Sequence, residues 1–257
     1  MLPRSHMKLT NTRRALLLVI AVASGAVTLS HAWKPGLSLL TGASTAACPA
    51  HFADGQPPAL LNPKLAAQTS PLFFRAFAVL HSGVTRTPLW SAEHLTSSSL
   101  AGAGQMPRLN AFHAAALLAR GLRAELSDYV GSGYDRGHMI PSGDMPDAQA
   151  QQESFSLVNV VPRAPRLNRG LWEGVEAALR GVVRQGGDLF VVTGPVFAGA
   201  ELQALQNRVL IPSSLWKALY DPAAATAGAY NAANADDGTI RSIRRHSIEV
   251  SCRQRDG

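Results

Sequence analysis

The chain has 257 residues, of which 46% are hydrophobic and 16% charged, and its formal net charge is +7 at pH 7. The charge lies in the tails, since residues 1–14 hold four basic groups, residues 239–257 hold five basic against two acidic groups, and residues 15–238 hold fifteen of each. Overall basicity therefore gives no argument for a nucleic-acid partner, and two cysteines at opposite ends of the chain disfavour a Cys/His zinc site.

The amino-terminal segment predicts export. Arg13 and Arg14 precede an apolar stretch from Ala15 to Val27, and Ser30-His31-Ala32 resembles a small-x-small cleavage site. Residues 1–33 are therefore predicted to be a signal peptide or a membrane anchor, and the protein to be exported, periplasmic or secreted, or held at a membrane. Residues 34–71 are rich in Ala, Pro, Gly and Ser without periodicity, which predicts a linker or extension before a domain over 72–257.

Short apolar runs that end at Gly, Pro or Ser predict strands, and few long helices separate them. The predicted strands are Phe77–His81 and Pro88–Glu93 (a hairpin about Ser82-Gly83), Tyr134–Ile140, Phe155–Val161, Asp188–Val196 and Arg208–Tyr220, with a short helical turn in Pro146–Glu153. The sequence therefore predicts an α+β fold with a largely antiparallel mixed sheet. The tail from Arg241 onward is atypical, so the last strand is expected to be altered or missing.

A single longer helix is predicted over residues 167–184. Leu171, Val175, Leu179 and Val182 recur at helical intervals, and the run stops at residues 185–187, Gln-Gly-Gly. Asn168 would lie in its first turn. Residue 176, a glutamate, would follow about 80° around and ~12 Å along an ideal axis, so both side chains can border one cleft.

The residues between 135 and 176 supply the groups that phosphodiester hydrolysis requires. A neutral imidazole, here His138, can take a proton from water near pH 7. Mg²⁺ prefers oxygen ligands and keeps several waters, so the amide oxygen of Asn168 would suffice as its protein ligand. The guanidinium of Arg136 suits a phosphate oxygen, and Glu176 suits an acceptor that orients metal-bound water.

These residues carry a resemblance to the DNA/RNA non-specific endonucleases of the ββα-metal superfamily. The similar segments are Asp135-Arg136-Gly137-His138-Met139, Asn159 to Pro162, Leu167 to Trp172 with Glu176, Ser82 to Thr96, Gly131 to Tyr134 and Val192 to Val196. The resemblance extends from about Phe73 to Asp221. It implies a ββα-metal catalytic unit on the sheet and a Mg²⁺ cofactor for which Mn²⁺ substitutes at least in part.

The resemblance also implies roles for individual residues. His138 would be the general base, Asn168 the sole direct protein ligand of Mg²⁺, and Arg136 and Glu176 supporting groups. A further family arginine, upstream in a Pro-Arg segment, is best matched by Arg108. Each position has an alternative: His138 as a structural residue, Asn168 as a helix N-cap, and Glu176 with Arg180 as a solvated helix face. Asn159 could lie near the metal or simply bond to the backbone.

Three arginines lie beside the proposed metal ligand, and the first of them departs from the family pattern. Arg163 stands where the family usually has Gln, and Arg166 and Arg169 follow at intervals of three residues. Residues 163–184 hold five arginines against two glutamates, a local net charge of +3. This spacing predicts extra phosphate contacts, which give affinity without sequence information. The alternative is a solvated basic turn.

The predicted function is metal-dependent, non-specific endonuclease activity on DNA and RNA at the cell envelope or outside the cell. Two alternatives remain at this stage, namely a small-molecule phosphodiesterase and an inactive nucleic-acid-binding envelope protein. Export would permit a disulfide between Cys48 and Cys252, although the sequence does not place them within bonding range. The sequence leaves the oligomeric state and the choice between cleavage and anchoring open.

Overall fold

The computed structural model describes residues 49–60, 62–103, 106–108 and 111–243. The predicted signal or anchor segment lies outside these residues, and so do Cys48 and Cys252. Across the part of the chain that is described, no helix is both long and apolar enough to cross a membrane.

Within those ranges the chain forms eleven strands, three α-helices and several single 3₁₀ turns. The strands are β1 (Thr69–Phe73), β2 (Phe77–Ser82), β3 (Thr87–Leu95), β4 (Asp135–His138), β5 (Val160–Arg163), β6 (Leu189–Val196), β7 (Ala204–Leu205), β8 (Val209–Leu210), β9 (Ser214–Asp221), β10 (Thr226–Ala233) and β11 (Ile240–Ile243). The helices are α1 (Ser97–Ala103), α2 (Ala148–Ser154) and α3 (Glu173–Arg184), and a π-helical segment, Leu167–Trp172, runs directly into α3. The 3₁₀ turns are Pro49–His51, Ala53–Gly55, Pro63–Leu65, Arg120–Leu122, Leu126–Tyr129, Ser142–Asp144 and Leu157–Asn159.

Seven strands form one antiparallel sheet in the order β1-β2-β3-β6-β9-β10-β11. Successive side chains of a strand alternate between faces, so the register assigns each residue to one side. On one face, Leu95, Val191 and Leu189 pack against Leu179 and Val183 of α3. On the opposite face, Trp90 and Ala92 pack against Phe52. The sheet is therefore covered on both sides.

A separate two-stranded ribbon, β4 with β5, is followed by the π-helical segment and α3. Met139, Val161 and Trp172 of this unit pack against Leu215 of β9. The order strand, strand, helix and the position on the sheet face confirm the predicted ββα unit. The α+β fold with a largely antiparallel sheet is also confirmed, since each strand pairing in the described ranges is antiparallel and the parallel contact is an isolated bridge between His113 and Ser156.

The predicted elements differ from the structure at several boundaries. The domain does not begin at residue 72, because β1 starts at Thr69 and Phe52 of the predicted extension is buried in the core. The strand predicted over 208–220 is two strands, β8 and β9. After the region of resemblance the sheet gains β10 and β11, so a last strand is present up to residue 243, where the described residues end.

The buried face of the long helix also differs from the prediction. Leu179 is buried as expected, but Leu171 and Val182 are 42% and 44% exposed. Trp172 and Val183 take their places in the core. A π-helical turn carries an extra residue, so the periodicity of an ideal α-helix does not hold across it.

Candidate active site

The pairing register of strands β4 and β5 fixes the relative positions of several site residues. Asp135 pairs with Arg163 and His138 pairs with Val160, so the two ends of the signature quartet face the strand that leads into the helix. Asn159, just before β5, is fully buried. Its side chain donates to the carbonyls of Ile140 and Ser154 at 2.9 and 3.0 Å and accepts from the Ile140 amide at 3.1 Å. Backbone bonding therefore accounts for Asn159.

The imidazole of His138 packs against two phenylalanine rings, and an arginine guanidinium group lies over each of those rings. The ring centroids of Phe112 and Phe155 lie 5.0 and 4.9 Å from that of His138. The guanidinium carbon of Arg136 lies 4.6 Å above the Phe112 ring, and that of Arg108 lies 5.7 Å above the Phe155 ring. The two aromatic rings thus fix the imidazole, and two of the predicted arginines lie over these rings.

The electrostatic surroundings of His138 favour its neutral form. Burial lowers the pKa of His138 to about 3, and the positive charges of Arg108 and Arg163 act in the same direction. Its Nε2 atom is buried and has no hydrogen-bond partner among the described residues. A neutral imidazole with an unpaired ring nitrogen is the form that can accept a proton from water or hold a substrate group.

Asn168 lies in the π-helical segment and is fixed by two side chains. Its Oδ1 accepts a hydrogen bond from Arg163 Nη1 at 3.0 Å, and its Nδ2 donates to Asp135 Oδ2 at 2.9 Å. Arg169 also binds Asp135, with Nη2 2.6 Å from Oδ1. Although burial alone raises the pKa of Asp135, the bonds from Arg169 and Asn168 hold it below its usual value. The orientation of the Asn168 amide is therefore set by two charged neighbours, Arg163 and Asp135.

Glu176 projects from the first turns of α3. Its Oε1 atom is buried and has no hydrogen-bond partner among the described residues. Burial raises the pKa of Glu176, while Lys217 and Arg163 oppose that effect. One turn later, Arg180 Nη1 donates to Asp144 Oδ1 at 2.8 Å, and both side chains are largely buried. The expected alternative of a solvated Glu176–Arg180 face is therefore wrong.

These side chains line one pocket with a volume of about 360 Å³. Of the eight predicted site residues, seven line it, namely Arg108, Arg136, His138, Arg163, Asn168, Arg169 and Glu176. Its other walls are Phe112, Asp135, Pro141, Ser142, Gly143, Glu173 and Arg180. Residues 108 to 180 in sequence thus converge on a single opening.

The sequence model of the DNA/RNA non-specific endonuclease family matches residues 56–254. The chain belongs to that family. A nuclease of Nostoc sp. is 32% identical over 169 residues, covering 65% of this chain and 60% of the relative. The mitochondrial nuclease EXOG of Danio rerio is 30% identical over 194 residues, covering 69% and 56%. The chain therefore spans less than two thirds of the length of these relatives.

A solved structure of EndoG in complex with EndoGI has the same fold. The TM-score is 0.56 at 22% sequence identity, and the match covers 69% of this chain and 77% of that one. Mitochondrial endonuclease G of Bos taurus is 29% identical over 196 residues, which cover 72% of this chain and 65% of the relative.

Within this family member, the three arginines predicted to bind phosphate do not share one face. Arg163 is 1% exposed, and its Nη2 donates to the carbonyl of His138 at 2.5 Å. Arg166 is exposed but lies outside the pocket, and its backbone amide binds Asp236 at 2.8 Å. Only Arg169 is both exposed and at the pocket. The picture of Arg163 as a solvent-facing phosphate contact is therefore wrong, because it is a buried link inside the site.

The donor atoms of the pocket fit a cation that is held mainly through water. The described residues contain no cluster of three or more His, Cys, Asp or Glu side chains able to hold a metal ion. What the pocket offers is the amide oxygen of Asn168 and the unpaired, buried Oε1 of Glu176. Oxygen donors of this kind suit Mg²⁺, which keeps several of its waters. The single protein ligand that the resemblance implies is thus compatible with these residues.

Sequence reasoning missed the residues that support this family site. Phe112 and Phe155 were not assigned a role, although both are aromatic residues close in sequence to predicted site segments. Asp144 and Lys217 were also missed. A signal existed for Lys217, since two-residue periodicity places it on the same face of β9 as Leu215 and Leu219.

Proposed function

We propose that the chain is a Mg²⁺-dependent endonuclease that hydrolyses phosphodiester bonds in both DNA and RNA. The observation that carries the proposal is the unpaired, buried Nε2 of a neutral His138 in a pocket that also presents Asn168, Glu176 and a rim of arginines. The family membership supports the reaction class.

His138 acts as the general base in this proposal. Its Nε2 takes a proton from the attacking water, and the rings of Phe112 and Phe155 hold the imidazole so that it does not rotate away. The low pKa belongs to the protein without substrate. An anionic phosphate placed beside the imidazole stabilises the protonated form, so substrate binding raises the basicity of His138 at the moment it is needed.

Asn168 and Glu176 are the residues that would hold the metal, Asn168 directly through Oδ1 and Glu176 by accepting a hydrogen bond from a metal-bound water. When bound, Mg²⁺ supplies charge stabilisation for the phosphate and the leaving oxygen. Mn²⁺ also takes oxygen ligands and should substitute at least in part.

The arginines at the rim favour a substrate recognised by its backbone. Arg108 is exposed and Arg136 partly so, and both lie against the aromatic rings beside His138. Arg169 adds a third cation at the mouth of the pocket. Guanidinium groups bind phosphate oxygens, which are the same at every base and in both DNA and RNA. Cleavage without base or sugar selectivity follows from such contacts.

The proposal is tested with purified protein on supercoiled plasmid and on a structured RNA, each with Mg²⁺ and with EDTA. We expect plasmid to be nicked and then degraded, RNA to be degraded, and EDTA to stop both reactions. His138→Ala serves as the control for contaminating nuclease and should lose about 10²–10⁴-fold or more of the activity. Turnover of bis-nitrophenyl phosphate with intact plasmid and RNA would instead identify a small-molecule phosphodiesterase. Binding of plasmid without any turnover would identify a nucleic-acid-binding protein.

Export is a second part of the proposal. The apolar stretch of residues 15–27 behind two arginines and the small-x-small site at residues 30–32 support it. The protein is proposed to reach the periplasm or the exterior, either cleaved or anchored by residues 1–33. Mass spectrometry of the amino terminus after cell fractionation tests this. Full-length protein in the soluble cytosolic fraction would contradict it.

A further inference from the structure

A second pocket lies beside the candidate active site, and the proposed mechanism does not use it. Its volume is about 510 Å³, which lies in the range of small-molecule sites. Ser132 and Tyr134 form one wall, and residues 202–207 with Ile211 form the rest. Among the described residues that line it there is no Lys, Arg, Asp or Glu. The second pocket is therefore uncharged, in contrast to the arginine-rimmed pocket of the active site.

The second pocket adjoins the active-site pocket through the chain itself. Tyr134 lines the second pocket, and Asp135 and Arg136, which follow it in sequence, line the first. Two residues span at most about 7 Å, so the backbone positions of Tyr134 and Arg136 are no further apart than that. Tyr134 and Phe112 also pack against one buried cluster that includes Leu205. A strand whose phosphate lies at Arg136 can therefore place the neighbouring nucleotide at Tyr134.

The wall opposite Tyr134 contains the tight turn between β7 and β8. The Arg208 amide donates to the Leu205 carbonyl at 2.8 Å, and the φ angles of Gln206 and Asn207 are 49° and 54°. Positive φ at both central residues is characteristic of a type I′ turn, which favours Asn and Gly. Asn207 fits this preference, whereas Gln206 has a long side chain in a left-handed conformation that costs conformational energy. Glycine would therefore form this turn more easily than the glutamine that is present.

The polar groups of the second pocket have the chemistry of a nucleobase site. The amides of Gln203, Gln206 and Asn207 are exposed, and none makes a side-chain hydrogen bond to another residue in the described part of the chain. An amide offers donors and an acceptor side by side, as the edge of a base does. The ring of the partly buried Tyr134 provides a face for stacking, which is open to every base. Phosphate oxygens instead attract cations, which this pocket lacks.

We propose that the second pocket holds one unpaired nucleobase of the substrate strand, next to the phosphate at the active site. The ring of Tyr134 stacks on the base, and the three amides bind its edge. An amide can rotate to exchange its donor and its acceptor, and stacking tolerates every base, so the pocket adds affinity without selecting a sequence. A base inside a duplex must first be flipped out of the stack. This inference rests on the proposed function and deepens it, because it names single-stranded or locally unpaired nucleic acid as the preferred substrate.

The first test compares the binding of single strands with and without bases. Fluorescence anisotropy measures the affinity of the His138→Ala protein, in EDTA and at one salt concentration, for a short labelled oligothymidylate and for the same backbone without bases. Both strands offer the same phosphates, so the ratio of the two dissociation constants reports the base contacts. Tyr134→Leu should reduce that ratio by about 5-fold or more, and Tyr134→Phe, which keeps the ring, should retain it. The affinity for a blunt dT·dA duplex should be the same in all three proteins.

The second test separates binding from folding at the turn. Gln206→Gly should leave Tm equal or higher, because glycine suits a positive φ, while the ratio for the two strands falls by about 2-fold or more with the loss of the amide. Gln68→Gly is the matched control, since Gln68 is also exposed, has a φ of 57° and lines neither pocket. It should shift Tm in the same direction and leave both affinities unchanged. If Tyr134→Leu does not fold, Gln206→Gly decides, because it replaces only an exposed side chain.

Specific outcomes would overturn the base subsite. Equal affinities of the His138→Ala protein for the two strands would show that no base is bound. A loss in Tyr134→Leu that is as large for the duplex as for the single strand, or that recurs in Tyr134→Phe, would show a structural role of Tyr134 instead. An unchanged ratio in Gln206→Gly would exclude the contact from the turn. These measurements need no cleavage, so a protein that binds in this way but degrades no nucleic acid refutes the proposed function alone. A protein that degrades DNA and RNA but binds both strands equally refutes the subsite alone.

Discussion

Arg163→Met tests whether a buried guanidinium group joins the two halves of the site. Arg163 donates to Asn168 Oδ1 at 3.0 Å and to the His138 carbonyl at 2.5 Å. Its guanidinium carbon lies 4.9 Å from the centre of the Trp172 ring. One side chain on β5 therefore contacts the strand of the proposed base, the proposed metal ligand and the helical segment. Methionine keeps most of the volume but provides no donor and no charge.

The expected loss of stability follows from these contacts. The buried His138 carbonyl would lose its charged donor, and a buried acceptor without a partner costs about 1–3 kcal/mol. Loss of the cation–π contact with Trp172 adds about 0.5–1 kcal/mol. Water can reach Asn168 Oδ1 from the pocket, and replacing a buried cation by an apolar side chain offsets part of the loss. The free energy of unfolding should therefore fall by about 2–3 kcal/mol.

Urea denaturation followed by tryptophan fluorescence measures this change. With a slope of about 1–3 kcal/mol per molar urea, the midpoint should fall by roughly 1 M or more. Arg166→Met is the matched control, because Arg166 is exposed three residues further on, and it should change stability by no more than about 0.5 kcal/mol. The Arg163 variant should also need more Mg²⁺, since Asn168 loses the donor that orients it. An unchanged midpoint and slope for Arg163→Met would refute the linking role.

Other substitutions test the same site. Gly137→Ala would place its Cβ 2.6 Å from Arg163 Cβ, so thermal unfolding should show a lower Tm even though the φ of Gly137 is accessible to alanine. Asn168→Ala should raise the Mg²⁺ concentration at half-maximal cleavage, and an unchanged titration curve would place the ligand elsewhere. Because the pKa of His138 is about 3 when folded and near 6.5 when unfolded, the unfolded state binds more protons between these values. The free energy of unfolding should therefore fall as the pH drops from about 6.5 to about 3, and His138 should account for at most about 1.4 kcal/mol of that fall per pH unit. In urea titrations at each pH, His138→Asn should lack this component. In an inactive His138→Ala background, Arg169→Gln should make the dependence of log affinity for duplex DNA on log salt shallower by up to ~0.9, and an identical slope would exclude a phosphate contact.

Local patterns were sufficient for the elements that carry the site. Apolar runs on either side of Ser82-Gly83 predicted the β2–β3 hairpin, and the helical turn predicted in Pro146–Glu153 is α2, Ala148–Ser154. In contrast, β10 has the sequence Thr-Ala-Gly-Ala-Tyr-Asn-Ala-Ala and was not predicted. Such a segment has little intrinsic strand preference, and it is a strand because β9 pairs with it over its whole length. Pairing of that kind depends on tertiary structure.

The spacing of the three arginines shows why residue periodicity failed in the site. An interval of three residues places side chains on one face only if the whole segment is helical. Here Arg163 ends a strand, Arg166 is the N-cap of the π-helical segment, and Arg169 lies inside that segment. Each side chain therefore points in a different direction. The extra residue of the π-helical turn is not visible in composition either, so both the arginine directions and the buried face of α3 had to come from the structure.

The signature quartet has a structural role in addition to the catalytic role proposed for it. Asp135 holds the amide of Asn168, and so controls the proposed metal ligand from the neighbouring strand. Position 137 must be glycine for reasons of space, since a Cβ there would lie within 3 Å of three atoms of Arg163. That close approach lets Arg163 reach the carbonyl of His138 and Asn168 together. A sequence that matches the quartet alone is therefore weaker evidence for this site than one that also has a compatible buried residue at position 163. The geometry of the proposed base and of the proposed metal ligand depends on both.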